Sequence, residues 1–276
     1  MLLNLFNAGV AVLLATLVVL YWVRFRGEDP EVYVPAASWT RAGIYFCCCF
    51  LLCWLTGTQA MILQSPFATP AQLGDPAWIA ATVGITLLIF IAYWGVWGRY
   101  TLRFDRRLHL ATQLPFGLVW GASAAQVILT VWHVCKTIGP AWPDWQVWIA
   151  TWFIAGSWHW WFHDFYWDLY VAPEHDTPFS IVLKTALLHI PQTSLCTLYL
   201  TIFGNVWILI GLQTIALLAA AIFMRLPPWW STDAAPPARH HPFILGLARG
   251  GGYISPDPAH DPYLRAGHSP PRNTVF

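Results

Sequence analysis

Long apolar runs separated by short polar breaks make up most of this chain, and the length of the runs decides its class. Stretches 3–23, 42–63, 77–98, 112–135, 146–170, 179–203 and 205–224 each hold about 20 mostly apolar residues. That is the length an α-helix needs to cross a hydrocarbon core of about 30 Å. The pattern predicts an all-α, polytopic membrane helix bundle with about seven transmembrane spans. Only Gly204-Asn205 divides the last two runs. This is a turn-forming dipeptide; without the turn, six spans remain and one is overlong. The first run has no basic leading region and no small-residue cleavage site, so it reads as a retained span. No internal repeat is visible.

The polar breaks set the orientation. Arg24, Arg26 and Arg41 flank the first connection, and Arg99, Arg103, Arg106 and Arg107 crowd the third. The second and fourth carry almost no basic residues. Basic loops stay on the cytoplasmic side, which places the N-terminus outside and the C-terminus in the cytoplasm. The connection 171–178 then faces the cytoplasm. The pattern changes after Arg225. Residues 1–225 read as the transmembrane bundle and 226–276 as an irregular, cytoplasmic Pro/Gly/Arg-rich tail. His240-His241 in that tail reads as a solvated pair.

Composition supports the membrane class. The chain is 57% hydrophobic and 10% charged, against about 25% charged in a soluble domain. It reads as a multi-pass integral protein with the lipid bilayer as its solvent. No basic stripe is present, so no nucleic-acid partner is expected. Part of the 19 tryptophans suit interfacial anchoring and the rest helix–helix contacts. The six cysteines have neither zinc-site nor disulfide spacing. They read as small buried hydrophobes, with a soft-metal cluster at Cys47, Cys48, Cys49 and Cys53 as the alternative.

One segment breaks the apolar rule. "SWHWWFHDFYWDLYVAPEHDTPFS", Ser157 to Ser180, concentrates three histidines, three aspartates and a glutamate. Ionisable groups within a span cost several kcal/mol unless they are paired or functional. On a helical wheel, His159, His163, Tyr166 and Tyr170 share one face, with Ala155 and Gly156 a turn earlier on the same side. Small residues there would admit a neighbouring helix. Asp164 and Asp168 fall on another face, about 100° or more away.

Folding spans five and six as an antiparallel hairpin about residue 175 gives two polar layers. His159, His163 and His189 lie about 15–20 Å from the connection, at about 1.5 Å per residue, which is near mid-membrane. Imidazoles of that kind suit copper, iron or zinc, and two histidines on facing helices can also ligate haem iron. The shallower layer holds Asp164, Asp168 and Lys184, with Glu174, His175 and Asp176 at the mouth. Its carboxylates could orient ligating imidazoles or relay protons, and Tyr166 could donate a hydrogen bond or a proton. The plain readings stand beside these. Asp168–Lys184 could be a neutralised structural pair, residues 174–176 a wet loop, and any single histidine a hydrogen-bonded core residue. There is no phosphate-binding glycine loop, no Gly-x-Ser-x-Gly and no long series of histidine boxes.

"WHWWFHDFYWDLYVAPEH", Trp158 to His175, resembles a segment in the C subunit of the copper membrane monooxygenases, the particulate methane, ammonia and short-alkane monooxygenase family. Both open on a Trp-His pair and close on Pro-x-His. "WGASAAQVILTVWH", Trp120 to His133, is similar to another stretch of that subunit. The resemblance implies a copper-binding, multi-span subunit of a hetero-oligomeric complex in a bacterial-type inner or plasma membrane. It implies O2-dependent hydroxylation of a small apolar molecule or ammonia, with His159 and His175 among the copper ligands. The interval between those two is two or three residues longer than in the family. Ala155 stands where the family has Asn, and the family's Asp-rich segment has no clear counterpart. A haem- or metal-binding electron-transfer protein and a proton-coupled transporter using His163, Asp168, Lys184 and His189 remain the alternatives.

Overall fold

A computed structural model of the chain describes residues 35–98, 108–166, 185–224 and 228–230; the side chains of 35–38, 40, 41, 160–166, 185 and 224 fall outside that description. The segments predicted as the first span (3–23) and as most of the tail also lie outside it. Every described element is helical. The α-helices are α1 (Pro35–Leu55), α2 (Thr58–Gln64), α3 (Pro70–Leu73), α4 (Pro76–Phe90), α5 (Leu110–Ile138), α6 (Asp144–Tyr166), α7 (Ile190–Phe203) and α8 (Val206–Met224). Two π-helical segments adjoin them: π1 (Ile91–Trp97) continues α4, and π2 (Thr185–His189) leads into α7. Among the described residues, four stretches are long and apolar enough to cross a bilayer, Pro76–Trp97, Leu110–Ile138, Ala186–Phe203 and Val206–Phe223; the bent pair α1–α2 makes a fifth if it is one span.

α5 is the central helix. It packs most extensively on α8, and also on α6, α1 and α2. Gly117 and Gly121 explain the close fit with α8. They lie one turn apart, and a Cβ on Gly117 would come within 2.9 Å of the Leu218 Cα. Small residues at this spacing let two backbones approach in lipid. α7 packs on α6, α8 and α4, closing the other side. α4 and π1 are peripheral, and Val83, Leu87, Leu88 and Ile91 are exposed. Apolar exposure along a spanning helix is what a lipid-facing surface requires.

One end of the bundle is clamped by side chains. The Asn205 amide donates to the Phe67 carbonyl at 2.9 Å, the Gln72 amide to the Phe203 carbonyl at 3.0 Å, and the Trp207 indole to the Ser65 carbonyl at 2.9 Å. The connections 65–69 and 204–205 therefore share one end, as alternating helices demand. The expected turn at Gly204-Asn205 forms: Gly204 has φ +63° and ends α7, and the Asn205 side chain accepts from Ile208 N–H to start α8. The described residues 185–224 are thus not one overlong helix.

The stretch 42–63 departs from expectation. Its helix starts earlier, at Pro35, and stops at Leu55; α2 then leaves at 80°. The cause is local. Gly57 adopts φ +76°, which only glycine takes without cost. The buried Thr56 hydroxyl donates to the carbonyls of Leu52 (2.9 Å) or Cys53 (3.2 Å) and pairs with Thr58 Oγ1 at 2.9 Å. Hydroxyls that bond the preceding turn compete with helix continuation. A Cβ at Gly57 would meet nothing within 4 Å, so only backbone strain opposes substitution. Gly57→Ala is expected to cost about 1–2 kcal/mol and Gly57→Asn less, read as thermal unfolding in detergent.

Four of the six cysteines are buried, as expected. Cys49, Cys53, Cys135 and Cys196 are buried and Cys48 is half-buried, but Cys47 is exposed. Consecutive helical residues point about 100° apart, so a Cys-Cys-Cys run cannot place all three inside.

Candidate functional site

Helix α6 covers most of the predicted fifth span and runs through Tyr166. Its Gly156 faces Thr193 of α7, where a Cβ would lie 3.9 Å from the Thr193 methyl. These residues stand 19 before and 18 after residue 175, so α6 and α7 pair in the register of a hairpin about that point. Ala155 is fully buried, and the Trp148 indole donates to the Ser194 carbonyl at 3.1 Å. This register puts His159 and His189 within about one helical turn of each other in depth.

The two imidazoles have different surroundings. His159 hydrogen-bonds the backbone of Ala124 on α5. Its Nε2 is buried with no hydrogen-bond partner, so the bond belongs to Nδ1. An Nδ1–H held by a carbonyl fixes the tautomer and leaves the Nε2 lone pair unused. That is the arrangement a metal-ligating histidine adopts. A buried nitrogen with no partner otherwise costs about 1–3 kcal/mol. His189 closes π2, and its Nδ1 lies 2.9 Å from the Tyr93 hydroxyl of π1. The rings are 5.8 Å apart.

His163, Asp164 and Tyr166 lie on α6 with their side chains outside the described residues; Asp168, Glu174, His175, Asp176 and Lys184 lie outside them altogether. Among the described residues, no three His, Cys, Asp or Glu side chains gather as a metal site. Cys47, Cys48, Cys49 and Cys53 do not gather as such a group. A centre at His159 would draw its remaining ligands from His163, His175 or His189.

Two features escaped the sequence reading. Tyr93 reads as one more aromatic in an apolar span, and its partner is 96 positions away. The second is a buried polar seam where α1 breaks. Gln126 of α5 donates to the Gln59 side chain at 3.2 Å, and Gln126 Oε1 and Thr130 Oγ1 are buried without a hydrogen-bond partner. Gln126 and Thr130 sit one turn apart in an otherwise apolar run, which is a readable signal. Compared with protein-family models, curated proteins and solved structures, the chain matches none.

Proposed function

We propose that this chain is a multi-pass membrane subunit of about seven spans that binds a transition metal, copper in the first instance, between α6 and α7. The observation that carries the reading is the buried, unpartnered Nε2 of His159, backed by its Nδ1 bond to Ala124. His163, His175 and His189 are the companion ligands. Asp164, Asp168, Glu174, Asp176, Tyr166 and Lys184 are the groups that orient ligands or carry protons. All-imidazole or mixed imidazole–carboxylate sites hold copper, iron or zinc, and copper binds nitrogen donors most tightly. Bound copper would supply O2 activation; the protein supplies an apolar, tryptophan-rich setting that keeps water out. With the resemblance of Trp158–His175, this fits a subunit of a copper membrane monooxygenase acting on a small apolar molecule or ammonia. It would work with other membrane subunits, its tail on the cytoplasmic side.

The test is metal content and an absorption spectrum on protein purified in mild detergent. About one copper per chain, lost in His163→Ala and retained in His240→Ala, supports the reading. Equal loss in both variants sinks the site, and a Soret band replaces copper with haem and makes the chain an electron carrier.

A second reading has its own observation. The 80° break at Gly57, beside the buried Thr56, Thr58 and Gln126 and the half-buried Gln59, resembles the interrupted helices that transporters use near their binding sites. A proton-coupled transporter with no metal would show pH-gradient-driven uptake in vesicles, and Gln126→Leu would abolish it.

A further inference from the structure

The two π-helical segments among the described residues come together at one side-chain contact, Tyr93 to His189. π-Helical turns are rare and concentrate at functional sites. For π2 the cause is visible: Pro191, just inside α7, has no N–H for the Leu187 carbonyl and its ring crowds that carbonyl. The widened turn rotates His189 relative to the α7 residues that follow. π1 does the same to Tyr93 on the facing element, where the Trp94 indole anchors it by donating to the Ile215 carbonyl at 3.0 Å.

Tyr93 is buried, and its hydroxyl is placed to accept the His189 Nδ1–H at 2.9 Å. A hydrogen bond in a low-dielectric interior is stronger than the same bond in water.

We propose that Tyr93 is a positioning residue: it accepts the His189 Nδ1–H, fixes the ring's rotation and tautomer, and directs Nε2 toward the metal. The proposal rests on the metal reading above. Outer partners of this kind typically tune metal affinity 10- to 100-fold, so about that loss is expected on removing the hydroxyl.

The experiment compares wild type, Tyr93→Phe and Tyr199→Phe. Tyr199 is the control, since its hydroxyl pairs with Thr82 at 2.6 Å on the same pair of helical elements, away from His189. Copper affinity is read by titration, and the ligating imidazoles by pulsed electron paramagnetic resonance, which senses the remote ring nitrogen. The His189 tautomer is read by nitrogen-15 NMR on copper-free protein. The expected result is Nδ1–H in wild type, a shift toward Nε2–H in Tyr93→Phe, an altered remote-nitrogen signal, about 10- to 100-fold weaker copper, and no change in Tyr199→Phe. Copper-binding wild type with an indistinguishable Tyr93→Phe overturns the positioning role and leaves the metal reading intact. Wild type without copper but with the tyrosine-dependent tautomer overturns the metal reading alone. An Nε2–H tautomer in wild type overturns the positioning role whether copper binds or not.

Discussion

Replacing His159 by leucine is expected to strip bound copper while leaving the copper-free protein as stable as before, or more stable by up to about 2 kcal/mol. The two effects have opposite signs because the histidine is costly in the fold and useful only with a ligand. Its buried Nε2 has no partner, and such a group costs about 1–3 kcal/mol relative to a satisfied or apolar one. Leucine removes that cost at similar volume. It also removes the Nδ1 bond to Ala124, worth about 0.5–1.5 kcal/mol. The Ala124 carbonyl, in the middle of α5, keeps its helical partner, so nothing new is orphaned. If His159 is a ligand as proposed, copper affinity should fall by more than the 10- to 100-fold that an outer partner controls. Metal content by mass spectrometry, with unfolding in detergent plus chelator, separates the two effects. Unchanged copper removes His159 from the site. A copper-free variant destabilised by more than about 2 kcal/mol makes it a structural histidine.

Parts of this were legible in the chain and parts were not, for physical reasons. The runs 77–98 and 112–135 reappear as α4 with π1 and as α5, within three residues at each end, because continuous apolar length is a strong signal. Gly204-Asn205 was readable because turn chemistry is local. The 80° turn at Gly57 was not, since averaging over about 20 residues hides one Thr-Gly-Thr among leucines and cysteines. Ala155 and Gly156 were recognisable as a place for a neighbouring helix, and Gly156 does meet Thr193. Tyr93 was invisible for the opposite reason. Nothing within its own helix marks it, and only the packing of α4 beside α7 brings it to His189. The Gly117/Gly121 pair is also legible, because small residues four apart in an apolar run mark a close helix contact. It fixes where α8 sits against α5.

That pair is where a mutation should do the most damage to the fold. A Cβ on Gly121 would collide with the Thr214 Cα, and it would also lie 2.8 Å from the Thr214 hydroxyl oxygen. A backbone atom cannot swing aside as a side-chain end can, so α5 and α8 must separate. Gly121→Leu is therefore expected to cost at least about 3 kcal/mol, the upper range for overpacking, seen as a large drop in the unfolding midpoint in detergent. Gly211→Ala on α8 and Gly84→Ala on α4 are the contrast. Neither added Cβ meets anything within 4 Å, so both should be neutral or gain up to about 1 kcal/mol from helix propensity. Similar losses in all three variants would mean that lipid, not the α5–α8 contact, dominates stability. The same geometry governs how functional losses are read. α5 carries the Ala124 carbonyl that holds His159, so forcing α5 from α8 disturbs the candidate centre at a distance. Copper lost in Gly121→Leu together with stability reports on the scaffold. Copper lost in His159→Leu without loss of stability reports on the ligand, and only that second pattern assigns the metal to this helix pair.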